Sequence, residues 1–333
     1  MNFVALKAVI TDHHYTDIGS AMRVLSDADI EVVVCACRDE GDALEAGRDA
    51  DAVINQHVPI TARALDAWPR CRGVVHFGKG VDNIDVDAAT ERGIWVANVR
   101  DANWDEVSNH VLALLLAWAR GLPAFDRGVR AGVWSYRLAV PRHRLAGQTL
   151  GIVGFGDIGH MLAAKAHALG LKVLASARHP TPAEHVTFVE LDTLLRCADY
   201  VSLHLPLTAA TTHFIGAREL ALMKRSAFLI NTSRGRVVDQ ASLVAALRER
   251  RIAGAGLDVT DPEPPAPNDP LLALDNVILT PHAAWYSEES REHVTVHAAL
   301  EVIRILRNER PRSPVNPEVG DRRARQKDGT RHA

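Results

Sequence analysis

Apolar runs recur at regular intervals from the start of this chain. KAVITD, EVVVCAC, DAVINQ, GVVHFG and WVANV have the make-up of buried strands, and stretches between them, such as TDIGSAMRVLSDA and ITARALDAWPR, return their apolar residues at helical spacing. Such alternation predicts a parallel sheet with crossover helices. NWDEVSNHVLALLLAWARGLP then forms a long apolar helix that Gly121 and Pro123 stop, and a change of domain is expected at about residue 103. A second alternating series follows: LGIVGFGDIG, LKVLASA, YVSLHLP, AFLINTS, GAGLDV and NVILTP. The fold class expected is α/β, with two doubly wound parallel-sheet domains. The last helix, SEESREHVTVHAALEVIRILRNE, opens at Ser287, placed as an N-cap with acidic residues in the first turn. Residues 317–333, rich in Arg, Asp, Gly and Lys, offer no apolar face and predict a disordered tail.

The run GIVGFGDIG puts an apolar strand before Gly154, Gly156 and Gly159 and a helical pattern, MLAAKAHALG, after them. In that context the glycines mark a dinucleotide site. Gly154 permits the tight turn, Gly156 lets backbone approach a pyrophosphate, and Gly159 lets the helix pack closely, its N-terminus facing the anion. The next strand ends in Ser176, Ala177, Arg178 and His179, where an NAD-binding unit usually carries an acidic residue for the ribose hydroxyls. A guanidinium there suits a 2'-phosphate. NADPH is therefore the expected cofactor, with Ser176 and Arg178 as its readers and NAD as the alternative.

At 333 residues and 47% hydrophobic content the chain can build two cored domains, and its net charge of −3 argues against a nucleic-acid partner. The longest apolar run, VLALLLAWA at 111–119, is too short to span a bilayer, and MNFVALKAVITDHH has no secretory pattern. A cytoplasmic location without a membrane partner is expected. Cys35, Cys37, Cys71 and Cys197 show no metal-ligand spacing and read as free thiols, so no metal is expected.

Three later segments carry reactive side chains: NTSRG with Arg234, DPEP with Glu263 and PHAAW with His282. Hydride transfer to the C2 carbonyl of a 2-oxo acid builds an alkoxide, which needs a proton donor and a positive charge nearby. His282 can donate the proton. Arg234 can grip the substrate carboxylate and polarise the carbonyl with a planar fork of donors, and Glu263 can fix the imidazole tautomer and favour its protonated form.

GKGVDNIDVDAATERGI, GIVGFGDIG, HLPLT, INTSRGRVVD, AGLDVTDPEPP and NVILTPHAAW, in that order, make the chain resemble the D-isomer-specific 2-hydroxyacid dehydrogenase family from about residue 5 to residue 316. PHAAWYSEES with Trp285 is most similar to the C-terminal-binding-protein branch. The resemblance implies a flavodoxin-like substrate domain, residues 1–103 with 286–316, around an inserted Rossmann cofactor domain, residues 104–285. It implies a homodimer through the cofactor domains, and the same catalytic roles for Arg234, Glu263 and His282. It further implies that Asp157 and Ile158 lie over the pyrophosphate, Leu205 and Pro206 beside the adenosine, Thr232 and Ser233 near the nicotinamide ribose, and Asp258 on the carboxamide. Arg234 and His282 also count among the cofactor contacts.

Departures from the family pattern bear on substrate. Gly78, Lys79 and Gly80 occupy the loop whose backbone amides the family offers to the substrate carboxylate, and Lys79 replaces a residue that is more often small. It resembles the Lys of phosphonate (phosphite) dehydrogenases, so oxidation of a phosphorus oxyanion is an alternative to 2-oxo acid reduction. Trp104, Ser108 and Asn109 replace the usual pattern before His110 and put cofactor contacts near 104 in doubt. Trp285 supplies a large apolar wall that would favour an apolar or thioether side chain on the substrate. A cofactor-sensing, corepressor-like binding module is the alternative from another class; the intact trio favours an enzyme acting on a small 2-oxo or 2-hydroxy acid.

Overall fold

The computed structural model describes residues 5–320. Of these, 5–102 and 287–320 form one compact unit and Asn103–Tyr286 another.

In the first unit, β1 (Leu6–Ile10), β2 (Ile30–Val34), β3 (Ala52–Asn55), β4 (Gly73–His76) and β5 (Trp95–Ala97) pair in parallel in the order β2-β1-β3-β4-β5. This is the flavodoxin-like order, which reverses between β1 and β3. On one face lies a core that includes Val9, Val53, Leu65, Trp68, Val74 and Val96. The C-terminal helix Glu288–Leu306 packs against β3 and β4. Ser287 caps it, its Oγ accepting the Ser290 N–H at 2.9 Å, with Glu288 and Glu289 in the first turn where the helix dipole favours negative charge. Gly73 lets that helix approach: a Cβ there would lie 2.7 Å from Ile305 Cδ1.

The chain after that helix stays on the sheet. Asn316, fully buried, accepts the Val96 N–H through Oδ1 at 2.8 Å and donates to the Ile94 carbonyl at 2.9 Å. The expected tail needs correcting in its first part: Val319 is fully buried and Gly320 N–H closes a turn on Pro317 O, because Val319 gives this polar segment one apolar anchor. Residues 321–333 of the expected tail lie outside the described residues.

The second unit holds seven parallel strands: β6 (Thr149–Val153), β7 (Lys172–Ser176), β8 (Val186–Phe188), β9 (Tyr200–Leu203), β10 (Phe228–Asn231), β11 (Gly254–Leu257) and β12 (Val277–Leu279). Their order, β12-β11-β10-β9-β6-β7-β8, is the doubly wound Rossmann order with one further edge strand. Both faces are covered, which explains the unbroken apolar strands. In β10, Phe228 and Ile230 face a core with Val111, Leu114, Leu115 and Leu162, while Leu229 faces the opposite core with Leu194, Leu243 and Leu257. Truncating Phe228 to Ala would cost about 3–5 kcal/mol on this packing. Among the described residues no helix is long and apolar enough to cross a membrane.

Candidate active site

β10 ends at Asn231, and the backbone then turns away from the sheet through Thr232, Ser233 and Arg234. Asn231, 1% exposed, holds that turn in place. Its Oδ1 accepts from Ser233 N at 3.0 Å and Ser233 Oγ at 2.8 Å, and its Nδ2 donates to Arg234 O at 2.9 Å. A buried amide with each end satisfied fixes the backbone on both sides of Arg234. The half-buried Arg234 side chain donates through Nη1 to Ser233 O at 2.9 Å.

Asp258, one residue beyond β11 and 2% exposed, organises the turn that carries His282. Its Oδ1 accepts from Thr280 Oγ1 at 2.6 Å and Ala283 N at 2.8 Å, its Oδ2 from Ala284 N at 2.9 Å, and its backbone carbonyl from His282 N at 2.8 Å. His282 sits at φ +52°, an uncommon conformation for a residue with a side chain, and these bonds hold it there. Asp258 thus caps the turn, and with about four acceptor positions on a carboxylate it keeps capacity for a further donor. Thr280 also meets the His110 ring, its Oγ1 2.9 Å from Nε2.

The two loops bring an imidazole and a carboxylate together. His282 Nδ1 lies 2.8 Å from Glu263 Oε2, and Glu263 Oε1 accepts the Thr260 N–H at 3.0 Å. Burial acts to raise the Glu263 carboxyl. The hydrogen bond and charge of His282, the Thr260 amide and the charge of Arg234 outweigh burial and hold it below its ordinary range. An ionised carboxylate is acceptor-only, so the proton in this bond belongs to His282 Nδ1 and Nε2 is left for exchange with a substrate. The two side chains remain 41% and 37% exposed, which leaves the pair within reach of a small molecule. Gly235 brings the loops together: a Cβ there would lie 1.8 Å from the Thr260 carbonyl oxygen.

The glycine turn fits a dinucleotide. Gly154 has φ +88°, and a Cβ on it would stand 2.5 Å from His204 O and 3.0 Å from Leu205 Cδ2, so only glycine fits there. A Cβ on Gly156 would meet nothing within 4 Å, and one on Gly159 would lie 3.1 Å from Gly154 O. Gly156 is the N-cap of the helix Asp157–Ala168 and brings no side-chain cap to its first amides. Trp104 lines a cavity of about 510 Å³ with Asp157, His160 and Met161 of that helix. Thr232 Oγ1 is buried and has no partner among the described residues, as a hydroxyl awaiting a ligand would be. Ser176 closes β7, and Arg178 beyond it is exposed, with no ion pair among the described residues. Leu205 is half-buried against the glycine turn, with Pro206 exposed beside it, and Ile158 is half-buried in the first helical turn.

Trp285 is half-buried, edge-on to Tyr286 with ring centroids 5.4 Å apart. Gly78, Lys79 and Gly80 belong to the first unit and follow β4. Gly78 has φ +133°, Lys79 is exposed, and the Lys79 carbonyl accepts from Asn98 Nδ2 at 2.6 Å. Asn231, Gly235 and Thr260 escaped the sequence reading, although the first two lie inside the motif that carries Arg234. Among the described residues no group of three His, Cys, Asp or Glu side chains is placed to hold a metal ion.

Comparison with known proteins agrees with this geometry. Residues 112–284 match the family model described as D-isomer specific 2-hydroxyacid dehydrogenase, NAD binding domain. The glyoxylate reductase of Korarchaeum cryptofilum is 43% identical over 284 residues, 83% of this chain and 86% of that protein. That of Thermococcus litoralis is 40% identical over 290 residues, 84% and 87%. Among solved structures, the NADPH-dependent glyoxylate/hydroxypyruvate reductase of Sinorhizobium meliloti, in complex with NADP and malonate, superposes with a TM-score of 0.84 at 30% identity, covering 94% of this chain and 98% of that one. With its two parallel-sheet domains, its glycine turn and these matches along most of its length, the chain belongs to the D-isomer specific 2-hydroxyacid dehydrogenase family.

Proposed function

We propose that this protein reduces a small 2-oxo acid to a D-2-hydroxy acid with NADPH as the preferred cofactor. The observation that carries this reading is the 2.8 Å contact between His282 Nδ1 and Glu263, with Arg234 near enough for its charge to act on the same carboxylate. A nicotinamide dinucleotide, when bound, supplies the hydride; Gly154, Gly156, Asp157, Ile158 and Gly159 would hold its pyrophosphate, and Thr232 and Ser233 its nicotinamide ribose. Arg234 grips the substrate carboxylate and draws charge onto the carbonyl oxygen. His282 delivers a proton from Nε2 to that oxygen as hydride arrives at carbon, and Glu263 stabilises the imidazole before the proton leaves it. In the opposite direction the same nitrogen takes the hydroxyl proton.

Cofactor preference rests on the end of β7. No carboxylate stands there, and the guanidinium of Arg178 matches a 2'-phosphate. The relatives named glyoxylate reductase support a short substrate, and Trp285, close behind His282 in the chain, supports a longer apolar one. The segment PHAAWYSEES supports a likeness to the C-terminal-binding-protein branch, but a complete acid/base pair favours turnover over cofactor sensing alone. A homodimer is supported by the stretch Leu122–Val140 of the second unit, where the helix Leu122–Arg130 buries none of its residues and Trp134 and Tyr136 are 89% and 72% exposed.

One assay tests the reading: glyoxylate, hydroxypyruvate, 4-methylthio-2-oxobutanoate and phosphite, each with both nicotinamide cofactors. Reduction of a 2-oxo acid with a higher kcat/KM for NADPH is expected, and Arg178→Ala should lower the NADPH value at least about tenfold with little effect on NADH. Negligible turnover across the panel would end the enzyme reading. Turnover of phosphite alone would transfer the role to the Lys79 alternative.

A further inference from the structure

We propose that the carboxyl edge of the first unit's sheet carries an oxyanion subsite, at the point where the strand order reverses between β1 and β3. Doubly wound sheets bind ligands at this position because the loops diverge there and open a crevice. The crevice here has a volume of about 280 Å³, and three loops line it. Asp12, His13 and His14 follow β1, Cys37 and Arg38 follow β2, and His57 follows β3.

The donors are set for an anion. His14 Nδ1 and His57 Nε2 lie 2.6 Å apart, with ring centroids at 4.9 Å and planes at 26°, so the rings share one proton and hold each other in place. His13 Nδ1 is buried and has no hydrogen-bond partner among the described residues. The Arg38 guanidinium is exposed and makes no ion pair among them, although Asp42 accepts the Arg38 backbone N–H at 2.9 Å.

The acidic groups facing the crevice are already satisfied. Asp12 accepts from Thr11 Oγ1 at 2.9 Å, Gln56 N and Asn55 Nδ2 at 3.3 Å, and His57 N at 2.6 Å. Burial first, then the neighbouring Cys35, Asp42 and Asp12, push the Cys37 thiol up to about 11, which keeps it neutral. A metal ion is a poorer fit: two imidazole nitrogens bound to one zinc at about 2.0–2.1 Å in tetrahedral geometry stand some 3.4 Å apart.

The ligand is a free oxyanion, a carboxylate or phosphate, which needs no catalytic reading. The loop 78–80 follows β4 on the same edge, next to β3, and the two loops are joined where His76 Nε2 lies 2.8 Å from Gln56 O.

The full chain, titrated with inorganic phosphate and with malonate, tests the subsite by the ring signals of its histidines in NMR. Saturable shifts of His13, His14 and His57, weakened at least about tenfold by His14→Ala and by Arg38→Ala, are expected. No saturable shift, or equal binding by the variants, overturns the proposal. Melting curves of both variants and of His57→Gln separate a lost donor from a lost fold. If no 2-oxo acid is reduced, the proposed function fails while the titration still decides the subsite.

Discussion

Gly235 and Thr260 touch backbone to backbone, with a space of 1.8 Å from an imagined Cβ of Gly235 to the Thr260 carbonyl oxygen. Arg234 precedes the glycine and Glu263 stands three residues beyond the threonine, so this contact sets the spacing of two of the three reactive groups. Neither side can give cheaply, since the other close atoms, the Thr260 carbonyl carbon at 2.2 Å and Asp261 N at 2.9 Å, are also backbone. Gly235→Ala should therefore separate the loops, lowering stability by about 1–3 kcal/mol and kcat/KM by about a hundredfold. Thermal melting and steady-state kinetics measure both, and wild-type kinetics in the folded variant would remove the contact from the catalytic account.

Glu263 makes a prediction with a definite sign. Its folded carboxyl titrates below its ordinary value, so its contribution to stability is present above the unfolded pKa of about 4.3 and is lost as pH falls through the folded value. The side chain is more than a third exposed, which keeps that contribution small. Its larger effect is on turnover. Glu263→Gln should cut kcat/KM for reduction by about a hundredfold, because the proton-donating ring loses the carboxylate that holds its Nδ1. Unchanged turnover in the folded variant would reduce Glu263 to a loop brace for Thr260.

The parts legible in the sequence are those whose chemistry is local. A Gly-rich turn between an apolar run and a helical pattern announces itself within twenty residues or so, and alternating strands and helices announce a parallel sheet. The roles of Asp258 and Asn231 were harder, because both depend on where a turn folds back. Asp258 stands at a strand end as an open acceptor would, yet it takes three donors from Thr280, Ala283 and Ala284. The histidine crevice was illegible for a different reason: His14 and His57 are 43 residues apart and meet only because β1 and β3 are neighbours in the sheet. Val319 was lost among charged residues, since one apolar side chain carries no periodicity.

Glu301 tests the packing of the first unit. It lies on the helix Glu288–Leu306, 5% exposed, and burial raises its carboxyl against the opposing Arg312 N–H and the charges of Arg304 and Arg312. A raised folded value means that its contribution to stability is complete below about pH 4.3 and is lost as pH rises through the folded value. Glu301→Gln keeps an acceptor for Arg312 N and removes the buried charge. Its melting temperature should exceed that of the wild type at pH 8, with the gap closing by pH 4. A variant less stable than the wild type at pH 8 would show that the charge is compensated by the two arginines.

Trp134 decides the assembly. At 89% exposure it supports nothing within its own chain, so a change there should leave the monomer's stability within about 0.5 kcal/mol. Tyr136, Val133 and Val140 add exposed apolar surface along the same segment, a concentration that isolated soluble domains avoid. If two copies bury this segment, a large aromatic at its centre contributes about 2 kcal/mol or more, so its loss alone weakens association roughly thirtyfold. Trp134→Glu adds an unpaired charge to that loss. Sedimentation velocity at micromolar concentration should give a dimer for the wild type and a folded monomer for the variant; a monomeric wild type, or a variant that still pairs, would refute the interface.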